Sequence, residues 1–264
     1  MRVNLKKTVD QYRRTAIKFA QVAQKPYTDV NAYDIRCFLA MEKGRGISDR
    51  TLENTRANIS SFFQWLTAEE LIQKNPCVAV KNIKFTKSIK IPFSPIEIDA
   101  LRFACKTDRE RAMLELLLSS GIRVSELTAL TIQDIDFEKM SVHVRCGKGG
   151  KARITYINDL AKMHLLNYLM SRKVTGDYLF YNKWRKPLNA GGVRHILNQL
   201  GERAKVPNVH PHRFRRTFAS TLAQRGMAIE EIRKLLGHSN LNTTLEYVYT
   251  SDEQVQVSYR KHIA

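Results

Sequence analysis

Apolar positions recur every three or four residues over most of the chain, with one short stretch where they alternate every second residue. Leu5, Val9, Tyr12, Ala16, Phe19 and Ala23 form the first such series and predict a helix over 4–24, stopped by Pro26. Ile35, Phe38 and Leu39 predict a helix over 31–42, followed by a turn at Gly44-Arg45-Gly46. Leu52, Ile59, Phe62, Phe63 and Leu66 predict a third helix over 48–67, and a short fourth is expected near 68–73 before Asn75-Pro76. The pattern lapses at 81–92, KNIKFTKSIKIP, which reads as an extended basic segment. It resumes at Ser94-Pro95-Ile96-Glu97, a capping box with proline at the first helical position. The helix that follows carries Ile98, Leu101 and Phe103. Another, over 109–120, is almost fully apolar at Met113-Leu114 and Leu116-Leu117-Leu118, ends at Gly121 and is expected at the centre of a core.

A further helix opens in Ile122–Leu127. Residues 141–145 then alternate, Gly147-Lys148-Gly149-Gly150 turns, and 152–157 alternates back, which predicts a β-hairpin with Lys148 at its tip. Helices are expected over 159–172 and 189–204. The stretch 210–249 reads as three short helices. Pro211 opens the first, with Phe214, Phe218 and Leu222 as its stripe and Gly226 at its end. Ile229, Ile232, Leu235 and Leu236 line the second, which Gly237 closes, and Asn242 caps a third carrying Tyr247. The expected fold is mostly α with a small β-sheet: a helical domain over 1–80, a basic linker over 81–93, and a mixed α/β domain over 94–264.

Charge narrows the function. The 264 residues carry a formal net charge of +19 and a pI near 9.9, which implies a polyanionic partner, most often nucleic acid. A membrane is the other polyanion, but no apolar run reaches the ~20 residues needed to span a bilayer, and the N-terminus lacks the apolar core of a signal peptide. Lys81, Lys84, Lys87 and Lys90, spaced by three, suit a nucleic-acid backbone, as do Arg50, Arg56 and Asn58 on the polar side of the third helix. Cys37, Cys77, Cys105 and Cys146 form no CxxC pair and have no histidine cluster at zinc-finger spacing. They read as reduced thiols of a cytosolic protein.

The residues with chemistry to offer are Arg123 after a helix end, Lys148 on its turn, His212 and Arg215 one helical turn apart, His238 after Gly237, and Tyr247. Two arginines can clamp a phosphate bidentately. A lysine and a histidine can move protons, and a tyrosine can be a covalent nucleophile. No carboxylate cluster suggests a metal-dependent phosphoryl transferase, and no GxxxxGK[ST] suggests a nucleoside triphosphate site. Each residue alone also fits a bland role in capping, at the surface or in the core. Tyr249 competes with Tyr247 for the nucleophile's place.

Taken together, Gly121-Ile122-Arg123-Val124-Ser125-Glu126-Leu127, Gly147-Lys148-Gly149, His212-Arg213-Phe214-Arg215, Leu235-Leu236-Gly237-His238 and Thr243-Thr244-Leu245-Glu246-Tyr247 resemble the tyrosine recombinases of the phage-integrase superfamily, in layout the Xer-type and simple transposon or phage integrases. The resemblance spans nearly the whole chain. It implies a helical core-binding domain and a mixed α/β catalytic domain closing as a C-shaped clamp on double-stranded DNA. It also implies site-specific recombination, by integration, excision or resolution, through a 3′-phosphotyrosyl intermediate, with no cofactor, metal or ATP. By resemblance Tyr247 attacks the scissile phosphate, Arg123 and Arg215 hold its non-bridging oxygens, and Lys148 protonates the leaving 5′-oxygen. His212 assists proton transfer, His238 hydrogen-bonds the phosphate, and Glu126 supports Arg123. Losing one such preorganised donor typically costs about 3–4 kcal/mol.

The family often has histidine where this chain has Arg216, which then offers one more phosphate contact. The first helix begins almost at Met1, so recognition of a short core site is expected rather than of distant arm sites. The tail over 251–264, with Val255, Val257 and Ile263, is expected to dock on a neighbouring protomer. The partners implied are a homotetramer on two DNA sites, formed through monomers or dimers, and an accessory DNA-bending or directionality protein, in a bacterial cytoplasm and at the nucleoid. Two other readings stay open: a non-catalytic DNA-binding regulator using 228–247 as a helix-turn-helix, and a type IB topoisomerase.

Overall fold

Most helices begin where a short polar side chain captures the first unpaired amides. The Asn31 side chain accepts from the N–H groups of Tyr33 and Asp34, and Asp34 accepts from the Asn31 N–H in return. Ser94 and Glu97 make the same reciprocal pair, and Asn158 and Asn189 cap two later helices. The computed structural model describes residues 2–86, 90–145, 152–238, 240, 244–245, 256 and 259–260, with side chains from residue 9 onward. The chain divides into two compact units, Met1–Ile89 and Lys90–Ala264, parting inside the basic segment.

The first unit packs α1 (Arg2–Ala23), α2 (Ala32–Gly44) and α3 (Asp49–Ala68) around Phe19, Ile35, Phe38, Leu52, Ile59 and Phe63. Phe19 meets Phe38 and Phe63 edge-on, with ring centroids 5.3 and 6.0 Å apart. Along α1 the buried stripe is shorter than the periodicity predicts, since Val9 and Tyr12 are exposed. The predicted fourth helix over 68–73 does not form. Glu70 turns left-handed at φ 58, and the Leu71 N–H returns to the Leu66 carbonyl, closing α3 and reversing the chain. The first half of the basic segment is extended but anchored: the Ile83 N–H donates to the Glu53 carboxylate at 2.7 Å.

In the second unit α4 (Pro95–Ala104) precedes α5 (Asp108–Ser120), whose Ala112, Met113, Leu114, Leu116 and Leu117 are all buried. Even Glu115 is buried there, held by two bonds from Arg102 at 2.7 and 3.1 Å. Phe103, predicted to face the core, is 94% exposed, because it lies two positions round the helix from the fully buried Leu101. After the one-turn α6 (Val124–Leu127) comes an antiparallel sheet in the order β1 (Ile135–Asp136), β2 (Ser141–Val144) and β3 (Arg153–Tyr156). The hairpin register pairs Ser141 with Tyr156 and Val144 with Arg153. β1 was not expected, since two residues are too few to show an alternation.

The turn joining β2 to β3, with Cys146 and Lys148, lies outside the described residues. Helices α7 (Asp159–Ser171), α8 (Ala190–Ala204), α9 (Pro211–Gln224) and α10 (Ile229–Leu236) complete the unit. Phe214 of α9 enters the main core against Phe93 at 4.8 Å. Phe218 and Ala219 form a smaller core with Ile232 and Leu236 of α10. Among the described residues no helix is long and apolar enough to cross a membrane.

Candidate active site

Two helix ends build the site. α5 ends at Gly121, left-handed at φ 58, where a Cβ would fall 2.4 Å from the Phe218 ring. Only glycine meets both demands. α10 ends at Gly237, also left-handed at φ 63, and a Cβ there would fall 2.7 Å from Cδ of Arg153. The approach at Gly237 is by the Arg153 side chain itself, and at both helix ends guanidinium groups reach carbonyls that the helices leave without partners.

Three arginines converge on the end of α10. Arg123, at the N-cap position of α6, donates from its backbone N–H to Glu126 at 2.7 Å and from its guanidinium at 2.8 Å. Its other terminal nitrogen donates to the Gly237 carbonyl at 3.1 Å. Arg153 of β3 grips both Glu126 oxygens at 2.8 Å and donates from Nε to the Leu235 carbonyl at 2.8 Å. Arg215 of α9, 1% exposed, donates to the Gly121 carbonyl at 2.7 Å and to the Leu236 carbonyl. Residues 235, 236 and 237 thus each lend a carbonyl to a different guanidinium, at the electronegative end of the helix dipole.

This crowding of cations sets the protonation of its neighbours. Burial pushes the Glu126 carboxyl up, but hydrogen bonds and charge from Arg153, then from Arg123, outweigh it and hold it at about 2. His238, buried immediately after Gly237, is lowered to about 3, first by burial and then by Arg215, Arg123 and Arg153. Its Nδ1 lies 2.9 Å from the Thr244 hydroxyl. His212 is exposed at the start of α9. It too is lowered, by partial desolvation and then by Arg215, Arg216, Lys90 and Arg123. Both imidazoles are therefore neutral near pH 7.

The structure thus brings Arg123, Glu126, Arg215 and His238 together, with His212 within electrostatic reach. Lys148, Tyr247 and Tyr249 lie outside the described residues, as do Asn242, the motif residues Thr243 and Glu246, and Val255, Val257 and Ile263 of the tail. Arg153 was missed. The available signal was a charged residue in the strand pattern on the same face as the buried Thr155. Arg213, inside the histidine–arginine motif, serves the scaffold. It stacks over Phe93 at 4.1 Å, donates to the Ile91, Pro92 and Pro207 carbonyls, and pairs with Glu97 at 2.8 Å.

Two residues expected on DNA-facing surfaces are placed otherwise. Arg56 is bound by Glu53 through two bonds of 2.7 and 2.9 Å, because its neighbour three positions back on α3 is that carboxylate. Arg216 is 5% exposed, because α9 is packed on most of its circumference. Arg50 is exposed, with its guanidinium 5.9 Å from the Phe85 ring. Lys81, Lys84 and Lys90 are exposed as expected, and Lys87 lies outside the described residues.

The chain is similar to known proteins over most of its length. The model of the phage integrase family matches residues 93–254, and that of the phage integrase N-terminal SAM-like domain matches 4–70. The chain belongs to the phage integrase family. Among relatives, the tyrosine recombinase XerC of Bacillus subtilis strain 168 is 35% identical, across 87% of this chain and 80% of that protein. The XerC of Staphylococcus saprophyticus is 32% identical, across 96% of this chain and 89% of its own length.

The fold is shared with solved members of the family. The Tn1549 transposon integrase in complex with a circular intermediate DNA superposes with a TM-score of 0.78 at 21% identity, covering 99% of this chain and 94% of the other. A lambda integrase dimer bound to a COC′ core site gives 0.75 at 19% identity, covering 91% and 88%. As the resemblance to this family implies, the fold is mostly helical, with one small sheet among the described residues.

Proposed function

We propose that this phage integrase family member is a tyrosine-type site-specific recombinase whose reacting phosphate is bound over the C-terminal end of α10. The activity class follows from the family and from XerC relatives that match most of the chain. The observation that carries the location is the convergence of Arg123, Arg215 and His238 on the carbonyls and residue that follow one another at Leu236, Gly237 and His238. The substrate is double-stranded DNA. Residues 1–80 are read as its core-binding domain, 81–93 as a basic linker lying on the backbone, and 94–264 as the catalytic domain with its tail.

In this reading the Tyr247 oxygen attacks the scissile phosphorus while the P–O5′ bond breaks, leaving a 3′-phosphotyrosyl ester and a free 5′-hydroxyl. His212, neutral near pH 7, accepts the tyrosine proton, and Lys148 protonates the departing 5′-oxygen. The two side-chain bonds of Arg123 engage two of its five N–H groups. It can therefore keep its support while donating to a non-bridging oxygen, opposite Arg215. In this reading the Thr244 hydroxyl, 2.9 Å from Nδ1 of His238, donates to that nitrogen, so that the imidazole proton sits on Nε2 and can be donated to the phosphate. Attack on the phosphotyrosine by a 5′-hydroxyl of a second duplex reverses the step and frees Tyr247. The ester conserves the bond energy throughout.

The working assembly in this reading is a homotetramer on two sites, with an accessory DNA-bending or directionality protein, acting in the cytoplasm on nucleoid DNA. The decisive test uses a nicked suicide duplex carrying the recombination site. Wild-type protein is expected to form an SDS-stable DNA adduct and Tyr247→Phe none. An adduct that persists in Tyr247→Phe moves the nucleophile to Tyr249, while tight binding without any adduct on a verified site returns the chain to a regulatory role.

A further inference from the structure

Arg153 is the one guanidinium of the cluster that none of the roles above uses, and its bonds join three elements, β3, α6 and α10. It stands at the start of β3, five positions after Lys148 in sequence. It holds both Glu126 oxygens at 2.8 Å, and through Nε the Leu235 carbonyl at 2.8 Å. Its side chain is 8% exposed and Glu126 is 2% exposed, so the pair is shut away from solvent. Glu126 in turn is the carboxylate that fixes both the backbone N–H and the guanidinium of Arg123.

The packing at Gly237 is cut to fit this side chain: a Cβ there would meet Arg153 at Cδ, Nε and Nη1, all within 3.2 Å. No smaller cation reproduces the geometry. A lysine has one nitrogen and cannot place parallel bonds on a carboxylate while a third bond reaches a helix carbonyl.

We propose that Arg153 is a positioning residue for the strand-cleavage step, locking the β2–β3 hairpin, the Glu126–Arg123 pair and the His238 end of α10 into one register. The inference rests on the recombinase reading above. Without Arg153, Glu126 still reaches Arg123 and Arg123 still reaches the Gly237 carbonyl, but the pair loses its bond to β3 and the end of α10 loses its second tie at Leu235, so the groups that meet the phosphate lose their mutual spacing. A misplacement of about 1 Å at such a site can cost on the order of 100-fold in rate. DNA affinity, set by many phosphate contacts elsewhere, is left alone.

The charges bearing on Glu126 are Arg123 at the N-cap of its helix and Arg153 on β3, and it acts in turn on His238 beyond the end of α10, where Arg215 of α9 also bears. Removing Arg153 leaves a buried carboxylate with a single arginine, so its protonation moves up into the ordinary carboxylate range or above.

The test compares wild type, Arg153→Gln, Arg153→Lys and the double variant Glu126→Gln/Arg153→Gln on the suicide duplex at saturating protein, with affinity measured separately by anisotropy. Arg153→Gln is expected to bind like wild type and to cleave about 10- to 100-fold more slowly. All the proteins lose cleavage as His212 protonates, and Arg153→Gln should show a further one-proton loss between about pH 6 and 4 that wild type and the double variant lack. Arg153→Lys, which keeps the charge, is expected to stay well below the wild-type rate.

Wild-type cleavage by Arg153→Gln, or full rescue by lysine, would overturn the positioning role. So would loss of affinity in step with rate, or a rate loss without the further acid limb. If Arg153→Gln does not fold, the rate of Arg153→Lys decides. Absence of an adduct from wild type would overturn the recombinase reading, and this role with it, whereas an active wild type beside an equally active Arg153→Gln overturns this role alone.

Discussion

His238 shows how far one residue's chemistry depends on its neighbours. A histidine after a glycine is in sequence only a plausible cap. Buried among Arg215, Arg123 and Arg153, it is lowered to about 3, and so is a neutral donor through the physiological range. The shift has a thermodynamic consequence. The unfolded chain protonates this imidazole near 6.5 and the folded chain near 3, so between those values the unfolded state holds the extra proton. Stability then falls as pH is lowered through that window, by up to about 1.4 kcal/mol per pH unit for one proton.

Glu126, held at about 2, acts in the same direction. Its contribution is full above its unfolded value near 4.5 and is lost as pH falls from there toward 2. His210 and His212, also lowered, add to the upper part of the window. Urea titrations of wild type and His238→Gln at several pH values isolate the His238 share. Wild type is expected to lose more stability than the variant between pH 7 and pH 5, and parallel losses would contradict the burial of a neutral imidazole.

At the scale of elements, the site hangs on the seat of α10. That helix is short and has its own small core, in which Ile232 and Leu236 meet Phe218 and Ala219 of α9. By contrast α5 is enclosed by the main core on almost every side. The three arginine bonds to residues 235–237 complete the seat, so the helix and the guanidiniums hold one another in place. Ile232→Ala removes a fully buried side chain and is expected to cost about 2–4 kcal/mol. Hydrogen exchange should then quicken over 229–237 while the amides of α5 stay protected. Equal acceleration in both helices would mean that the smaller core is not a separate unit of stability.

At the scale of the molecule, the charge of +19 is the footprint of the partner, and part of it lies on exposed lysines flanking the division between the two units. Lys81, Lys84 and Lys90 are exposed, whereas Arg56 and Arg216 are taken up by Glu53 and by the packing of α9. Affinity for duplex DNA is expected to fall steeply with salt. Each lysine among the three replaced by alanine should reduce the log–log slope by about 0.9 if it touches a phosphate. Arg56→Ala should leave that slope unchanged. Anisotropy titrations from low to physiological salt measure both, and a slope indifferent to all three lysines would remove the segment from the interface.

The sequence by itself determined the local items, because local rules produce them. Capping boxes, glycine stops and three-to-four spacing placed α2, α3, α5, α9 and α10, and the order of arginines, histidines and glycines pointed to the family. It misjudged residues whose fate depends on what lies opposite. Phe103 and Tyr12 have the right spacing but no surface to pack on, and Arg56 has the right charge but a carboxylate beside it. Only the tertiary structure decided how the site is held. Arg153, Glu126 and Leu235 are far apart in the chain and share no periodicity, so the bonds among them follow from how β3, α6 and α10 fold together. The close approaches at Gly121 and Gly237 belong to the same class: a helix stop is legible in one dimension, while the guanidinium or ring that needs the missing Cβ comes from another part of the fold.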